Sequence, residues 1–248
     1  MTPFFMAWMM FFSIPCPSKK WDQSKTKQML VCLPAIGLMI GAIWFGIYKA
    51  FAALHIGLIG SAVICVVPWL LTGFMHLDGF MDCADAVLSF RDREERLRIL
   101  KDSHVGSFAV ICMAILSVFT FAAWLQTGYS TNGLVLIFIP VASRAVSAAC
   151  VLGFAPLSTS QYAQNREKKL PVPHIAACAG IGAVAVILGF ILGGTDGIAV
   201  LASAVCTLLT VLKVRANLGG MSGDISGCAI TTGECCAAIA LAVTAAFA

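Results

Sequence analysis

Three carboxylates, Asp78, Asp82 and Asp85, follow one another at spacings of four and three residues in His76-Leu77-Asp78-Gly79-Phe80-Met81-Asp82-Cys83-Ala84-Asp85-Ala86. At about 100° per residue they occupy an arc of roughly 60° on a helix, so all three face one way. Carboxylates that close repel one another unless a cation lies between them. Hard oxygen donors suit Mg²⁺, which is held by a few carboxylates together with substrate phosphates. A helix start that favours acidic residues accounts for one or two aspartates. It does not account for three on one face with no basic residue among them. Gly79, beside the first carboxylate, lets a ligand or another backbone come close, or marks where the helix begins.

Directly downstream, Arg91, Arg93, Arg96, Arg98 and Lys101 are the charges that a phosphate-rich substrate needs. The same run also reads as an ordinary surface helix, with i,i+3 and i,i+4 ion pairs and an apolar stripe at Leu97 and Leu100. A second polar centre is Gly219-Gly220-Met221-Ser222-Gly223-Asp224-Ile225-Ser226-Gly227. Glycines and a serine ahead of a helix can form an anion cradle of backbone N–H groups, and Asp224 stands where a helix cap belongs. Deeper still, Glu234 and Arg144 are ionisable residues inside apolar stretches, where such groups are costly unless they face a polar interior. The two either neutralise each other or bind a phosphate or a metal, and the sequence leaves both readings open. Of the four histidines only His76 lies near the aspartates. On a continuous helix it points away from their face. No two histidines have helical ligand spacing, so a zinc site is not expected.

The elements that must position these residues are membrane spans. The chain is 60% hydrophobic and 11% charged, with a mean hydropathy of +0.93. A water-soluble domain carries about a quarter charged residues, so there is too little polar surface here to cover one. The expectation is an all-α, polytopic integral membrane helical bundle of about seven transmembrane helices. The spans are expected near 29–48, 51–71, 108–126, 133–154, 173–192, 197–214 and 225–247. They form a single membrane-embedded catalytic domain over 1–248, with an interfacial or re-entrant segment at 1–28. A catalytic loop and helix at 74–107 and a second motif at 215–227 complete it. No positive region precedes the first apolar run, so a cleaved signal peptide is not expected. Most of the eleven cysteines lie in apolar segments and read as small hydrophobes rather than disulfide partners.

Fourteen of the sixteen Lys and Arg residues fall in alternate connections, leaving Lys49 on the opposite side and Arg144 within a span. By the positive-inside bias, the aspartates, the basic run and Asp224 all face the cytoplasm of a multi-pass protein in the cell (inner) membrane. Residues Arg166 to Lys169 read as a positive-inside anchor, or as a contact for anionic lipid or a partner. No nucleic-acid partner is expected.

These motifs, with Arg91-Asp92-Arg93-Glu94-Glu95-Arg96-Leu97, Lys101-Asp102-Ser103-His104-Val105-Gly106, Ile14-Pro15-Cys16-Pro17 and Arg144, resemble the cobalamin synthase (adenosylcobinamide-GDP ribazoletransferase) family. The glycine-rich centre is similar to that family's Gly-Gly-x-[Thr/Ser]-Gly-Asp-x-x-Gly pattern. The chain departs from it at Met81 and Cys83, at Thr231, where a Glu is expected one turn before Glu234, and at Ala216-Asn217 ahead of the glycine pair. The resemblance implies an integral membrane, Mg²⁺-dependent phosphotransferase. In its reaction a ribose hydroxyl of α-ribazole attacks the cobinamide phosphate of adenosylcobinamide-GDP and releases GMP, and α-ribazole 5′-phosphate can serve instead, giving the phosphorylated cobamide. On that basis Asp78, Asp82 and Asp85 hold Mg²⁺, or one of them, Asp85 ahead of Asp82, instead takes the proton of the attacking hydroxyl. Arg144, Arg91 or Lys101 stabilises phosphate oxygens, and Asp224 with Glu234 completes a second metal site or orients α-ribazole. His76, Ser222 and Gly223 face substrate. A homo-oligomer and docking of other nucleotide-loop assembly enzymes are both compatible with the sequence.

Two other readings use some of the same residues. A CDP-alcohol phosphotransferase-type phospholipid synthase concentrates its aspartates in one stretch, whereas here they divide between two. A membrane transporter would line an ion path with Asp78, Arg144 and Glu234, and should show repeated halves, of which the chain has no clear trace.

Overall fold

A computed structural model describes residues 2–157 and 170–247. Arg166, Lys168 and Lys169 of the expected basic loop lie outside the described residues. The chain opens with α1 (Thr2–Phe11) and α2 (Thr26–Val31), then α3 (Leu33–Ala53) and α4 (Leu58–Leu71). Two polar helices follow, α5 (Met75–Leu88) and α6 (Arg93–Ile99). The remainder is α7 (Ser107–Thr127), α8 (Val135–Gly153), α9 (Val172–Gly193), α10 (Gly197–Leu218) and α11 (Gly223–Ala246). Among the described residues the one β-type pairing is an isolated bridge between Pro156 and Met221.

Among the described residues, five stretches are long and apolar enough to cross a membrane, the longest being Val172–Leu218. That stretch holds two helices of 22 residues, α9 and α10. Gly194 adopts a left-handed φ of +60° between them, and a Cβ on Gly197 would lie 2.6 Å from the Phe190 Cα, so the chain reverses there. The expected second span, 51–71, is shorter than the pattern indicated. Nothing between Tyr48 and Ala53 breaks a helix, so α3 runs on and the break falls at His55, with φ +53°. This leaves α4 with 14 residues, about 21 Å against a hydrocarbon core of about 30 Å. An 89° bend then separates α4 from α5.

Contacts at the two ends of the bundle show that α3, α4, α7, α8, α9, α10 and α11 alternate in direction. At one end Ser13 meets Leu71, Asp85 meets Gly106, Leu157 meets Met221 and the Asp224 backbone meets Gly79. At the other, the Tyr48 hydroxyl donates to the Thr131 carbonyl (3.0 Å), Asn132 to the Leu192 carbonyl (2.9 Å) and Thr244 to Asp196 (3.3 Å). The result is a polytopic helical bundle.

Helix α8 runs through its middle, with Ala142, Ser143, Arg144 and Ala145 wholly buried. Gly37 and Gly41 bring α3 onto the α8 backbone. A Cβ on Gly41 would lie 2.5 Å from the Ile137 carbonyl oxygen, and one on Gly37 would collide with Pro140. Small residues four apart allow this approach, and in lipid close packing takes the place of hydrophobic burial as the attraction between helices. Gly41→Val should therefore overpack the α3–α8 contact by about 1–3 kcal/mol. Thermal unfolding in detergent should show a melting point lowered by about 2–10 °C, and an unchanged value would mean that α3 does not sit on α8 in this way.

Candidate active site

The bend after α4 sends the acidic helix across one end of the bundle instead of through it. Gly73 (φ +59°) and Phe74 (φ +63°) both take the left-handed conformation. The carbonyls left open at the end of α4 find donors: Gly73 N–H reaches Leu70 (3.1 Å) and Phe74 N–H reaches Trp69 (2.9 Å). The N-terminal segment closes the remainder, through Ser13 N–H to Leu71 (2.8 Å) and Ser13 Oγ to Leu70 (2.9 Å). With those carbonyls satisfied, the turn is held and α5 lies outside the spans.

On α5 the residue beside the first aspartate decides the geometry. A Cβ on Gly79 would lie 2.7 Å from the carbonyl oxygen of Asp224 and 2.9 Å from its Cα. Of the two partners the sequence allowed for Gly79, the structure supplies a second backbone. One turn along α11, a Cβ on Gly227 would lie 3.0 Å from His76 Cα. The two motifs thus pack backbone to backbone. Asp78 is exposed and Asp82 is half-buried. Burial, then the negative charges of Asp78, Asp224 and Asp85, push the Asp82 carboxyl up to about 6. Four carboxylates therefore share one field.

They are not equivalent. Both oxygens of Asp85 are engaged by main-chain donors, Gly106 N–H at 2.7 Å and Ala109 N–H at 2.9 Å. Asp85 thereby caps the first turn of α7 from another helix and neutralises its positive end. The Ser222 hydroxyl caps α11, accepting from Ile225 N–H (3.3 Å) and donating to Asp224 Oδ2 (3.2 Å). Gly223 is the first residue of α11. The backbone cradle expected at Gly219–Ser222 is partly spent inside the protein, since Gly219 N–H binds Arg215 and Met221 N–H binds Ala155.

Beneath the carboxylates lies a buried polar seam between α8 and α11. Arg144 and Glu234 form an ion pair at 2.5 Å, with the Ser143 hydroxyl also on Glu234. Arg144 has no exposed surface and Glu234 has 7%. Of the two readings open for these residues, mutual neutralisation is the one built. Ser147 and Ser226 share a 2.6 Å hydrogen bond in the same seam. His76 is buried on the continuous helix α5, stacked on Phe11 at 6.3 Å. Burial, with the Arg144 charge nearby, holds its imidazole well below the ordinary range, so it is neutral at pH 7.

The charged run forms the surface helix that the sequence allowed. Asp92 caps α6 by accepting from Glu95 N–H (2.9 Å), and Arg98 forks onto Glu95 (2.9 and 2.6 Å). Leu100 is buried, and Leu97 packs against the same core. Arg93 and Arg96 reach the end of α10. Among the described residues, the exposed Arg91 and Lys101 side chains carry no ion pair. Three contacts were absent from the sequence reading: Phe11 on His76, Ser13 on the end of α4, and the thiol of Cys83 against that of Cys228.

Among the described residues, no three His, Cys, Asp or Glu side chains converge tightly enough to enclose a metal ion. That fits Mg²⁺ better than a cation needing an all-protein cage, because Mg²⁺ takes one or two carboxylates and completes its shell with phosphate and water. The donors are hard oxygens, and Asp82 is raised by burial and then by the carboxylates around it.

The family model described as cobalamin-5-phosphate synthase matches residues 3–242. A protein of Clostridium perfringens (strain 13 / Type A), named adenosylcobinamide-GDP ribazoletransferase, is 40% identical over 221 residues, covering 88% of each chain. Its namesake from Clostridium botulinum (strain Alaska E43 / Type E3) is 38% identical, covering 92% of each. One from Brevibacillus brevis is 30% identical, covering 94% of this chain and 95% of its own. No solved structure matches.

Two outcomes follow from the site. A proton on Asp82 competes with a cation, so Mn²⁺ affinity, read by electron paramagnetic resonance, should be steady above pH 7. Below pH 6 it should weaken by about tenfold per pH unit, and an affinity independent of pH from 5 to 7 would remove Asp82 from the site. Glu234→Gln strands the Arg144 charge and should destabilise the protein by about 3–5 kcal/mol. The double variant Arg144→Met/Glu234→Leu should recover most of that loss in thermal unfolding.

Proposed function

The chain belongs to the cobalamin-5-phosphate synthase family, and from that premise we propose that it is an adenosylcobinamide-GDP ribazoletransferase acting in cobalamin nucleotide-loop assembly. The observation that carries the assignment to this site is the seating of Asp224 on Gly79, which joins the acids of two distant motifs. A phosphotransferase whose substrate brings a pyrophosphate needs such a cluster. A ribose-ring hydroxyl oxygen, free in both α-ribazole and its 5′-phosphate, forms a bond to the cobinamide phosphorus and gives up its proton. The bond from that phosphorus to the GMP oxygen breaks, and GMP departs with the electron pair.

One or two of Asp78, Asp82 and Asp224 would hold Mg²⁺ together with substrate phosphate, with Asp85 steadying the start of α7 beside them. When bound, Mg²⁺ neutralises charge on the pyrophosphate and the departing GMP. Asp82 also suits the proton of the attacking hydroxyl better than Asp85 does. Its carboxyl is pushed up to about 6, chiefly by burial, whereas both Asp85 oxygens already accept main-chain N–H groups. The exposed Arg91 and Lys101 are free to meet phosphate oxygens. Arg144 and Glu234, closed off in the seam, act by holding α8 to α11 under the carboxylates. His76, neutral and buried, supports the same floor.

The site end of the bundle carries the basic residues 19–27, 91–101 and 213–215, which supports a cytoplasmic active site in the cell membrane.

Protein in detergent or liposomes, given adenosylcobinamide-GDP, α-ribazole and Mg²⁺, should release GMP and a cobamide in equal amounts, and EDTA should stop it. Asp82→Ala should lower turnover by about a hundredfold or more. Folded protein that makes no product from α-ribazole or its 5′-phosphate would overturn the assignment.

A further inference from the structure

The charged run and the glycine turn meet at one residue to which the reaction as described gives no task. Arg93, the first residue of α6, donates from Nε to the Leu218 carbonyl and from Nη2 to the Gly219 carbonyl, each at 2.9 Å. These carbonyls close α10, where no further helix turn can satisfy them and the helix carries partial negative charge. Gly219 stands in the left-handed conformation at φ +85°, and a Cβ there would occupy the space of the guanidinium. Glycine is thus required twice at this position, by the turn and by the arginine lying on it.

A second arginine secures the same seat. Arg96 Nη1 donates to Asn217 Oδ1 at 2.6 Å, and Asn217 in turn donates to the Lys213 carbonyl at 2.9 Å. The other side of the turn is held by main chain, with Met221 N–H on Ala155 (2.7 Å) and Leu157 N–H on Met221 (2.8 Å). A Cβ on Gly220 would lie 2.8 Å from the Leu157 nitrogen. The turn is therefore gripped from both sides immediately before Ser222, which caps α11 and binds Asp224.

We propose that Arg93 is a positioning residue for the transfer reaction: by clamping the Leu218–Gly219 turn it sets where α11 begins, and so where Asp224 meets Asp78 and Asp82. An arginine fork spans two successive carbonyls, whereas a lysine offers one compact ammonium. The kinetic consequence rests on the ribazoletransferase reading, while the clamp rests on the geometry alone.

The test compares full-length wild type, Arg93→Ala, Arg93→Lys and Gly219→Ala in detergent. Hydrogen–deuterium exchange should rise several-fold over 216–228 in Arg93→Ala and Gly219→Ala, with the spanning helices unchanged. In steady-state kinetics with adenosylcobinamide-GDP and α-ribazole, kcat should fall by about tenfold to a hundredfold. KM for both substrates should stay within about twofold, and Arg93→Lys should recover only part of kcat. Loosened exchange with unchanged kcat would overturn the positioning role. So would lost kcat with unchanged exchange, a rise in KM alone, or full rescue by Arg93→Lys. If wild type makes no product, the transferase reading fails by itself, and the exchange measurements still decide the clamp.

Discussion

The contact on which the site depends is the one between a glycine and a peptide backbone, Gly79 on Asp224. Any side chain at 79 would push α5 from the start of α11 and separate the carboxylates of the two motifs. Close backbone approach is what allows acids from distant parts of the chain to face one another without a covalent link. The approach carries an electrostatic cost, visible in Asp82, whose carboxyl is raised by burial and then by the charges of Asp78, Asp224 and Asp85. That repulsion suits the proposed reaction, in which the substrate's phosphates would arrive with a hard cation.

Two further features keep the contact in place. The 89° bend after α4 lays α5 flat across the bundle, and Ser13 of the N-terminal segment closes the carbonyls that the bend exposes. Below, Arg144 and Glu234 join α8 to α11 in the apolar interior. An ion pair there is weak as a source of stability but expensive to break, because removing either partner leaves a buried charge. It therefore favours one register of α11 against α8, and the register of α11 is what places Asp224.

Much of this was legible in the residues. The apolar stretches, the one-sided basic residues and the helical spacing of Asp78, Asp82 and Asp85 are local patterns, and each maps onto the helices found. Gly79 was readable as a point of close approach, though not which backbone would come. What a single sequence hides is pairing across the bundle. The oxygens of Asp85 are committed to Gly106 and Ala109, residues beyond the next helix. Arg144 and Glu234 could be seen as a possible pair only because each is costly alone. Arg93 looked like its neighbours in a basic run, since nothing local distinguishes an arginine that reaches Gly219 from one that reaches solvent. The short α4 was missed because the apolar run continues through 48–53 while the break depends on His55.

The central claim is that the acids of both motifs form one cation site because Gly79 lets them meet. The most direct measurement is Mn²⁺ binding, in the presence of pyrophosphate, by wild type, Gly79→Ala and Asp224→Asn. The account predicts that Gly79→Ala, with every carboxylate intact, weakens binding about as much as Asp224→Asn does, on the order of tenfold. Wild-type affinity in folded Gly79→Ala would contradict it, and would mean that the two motifs bind their ligands separately.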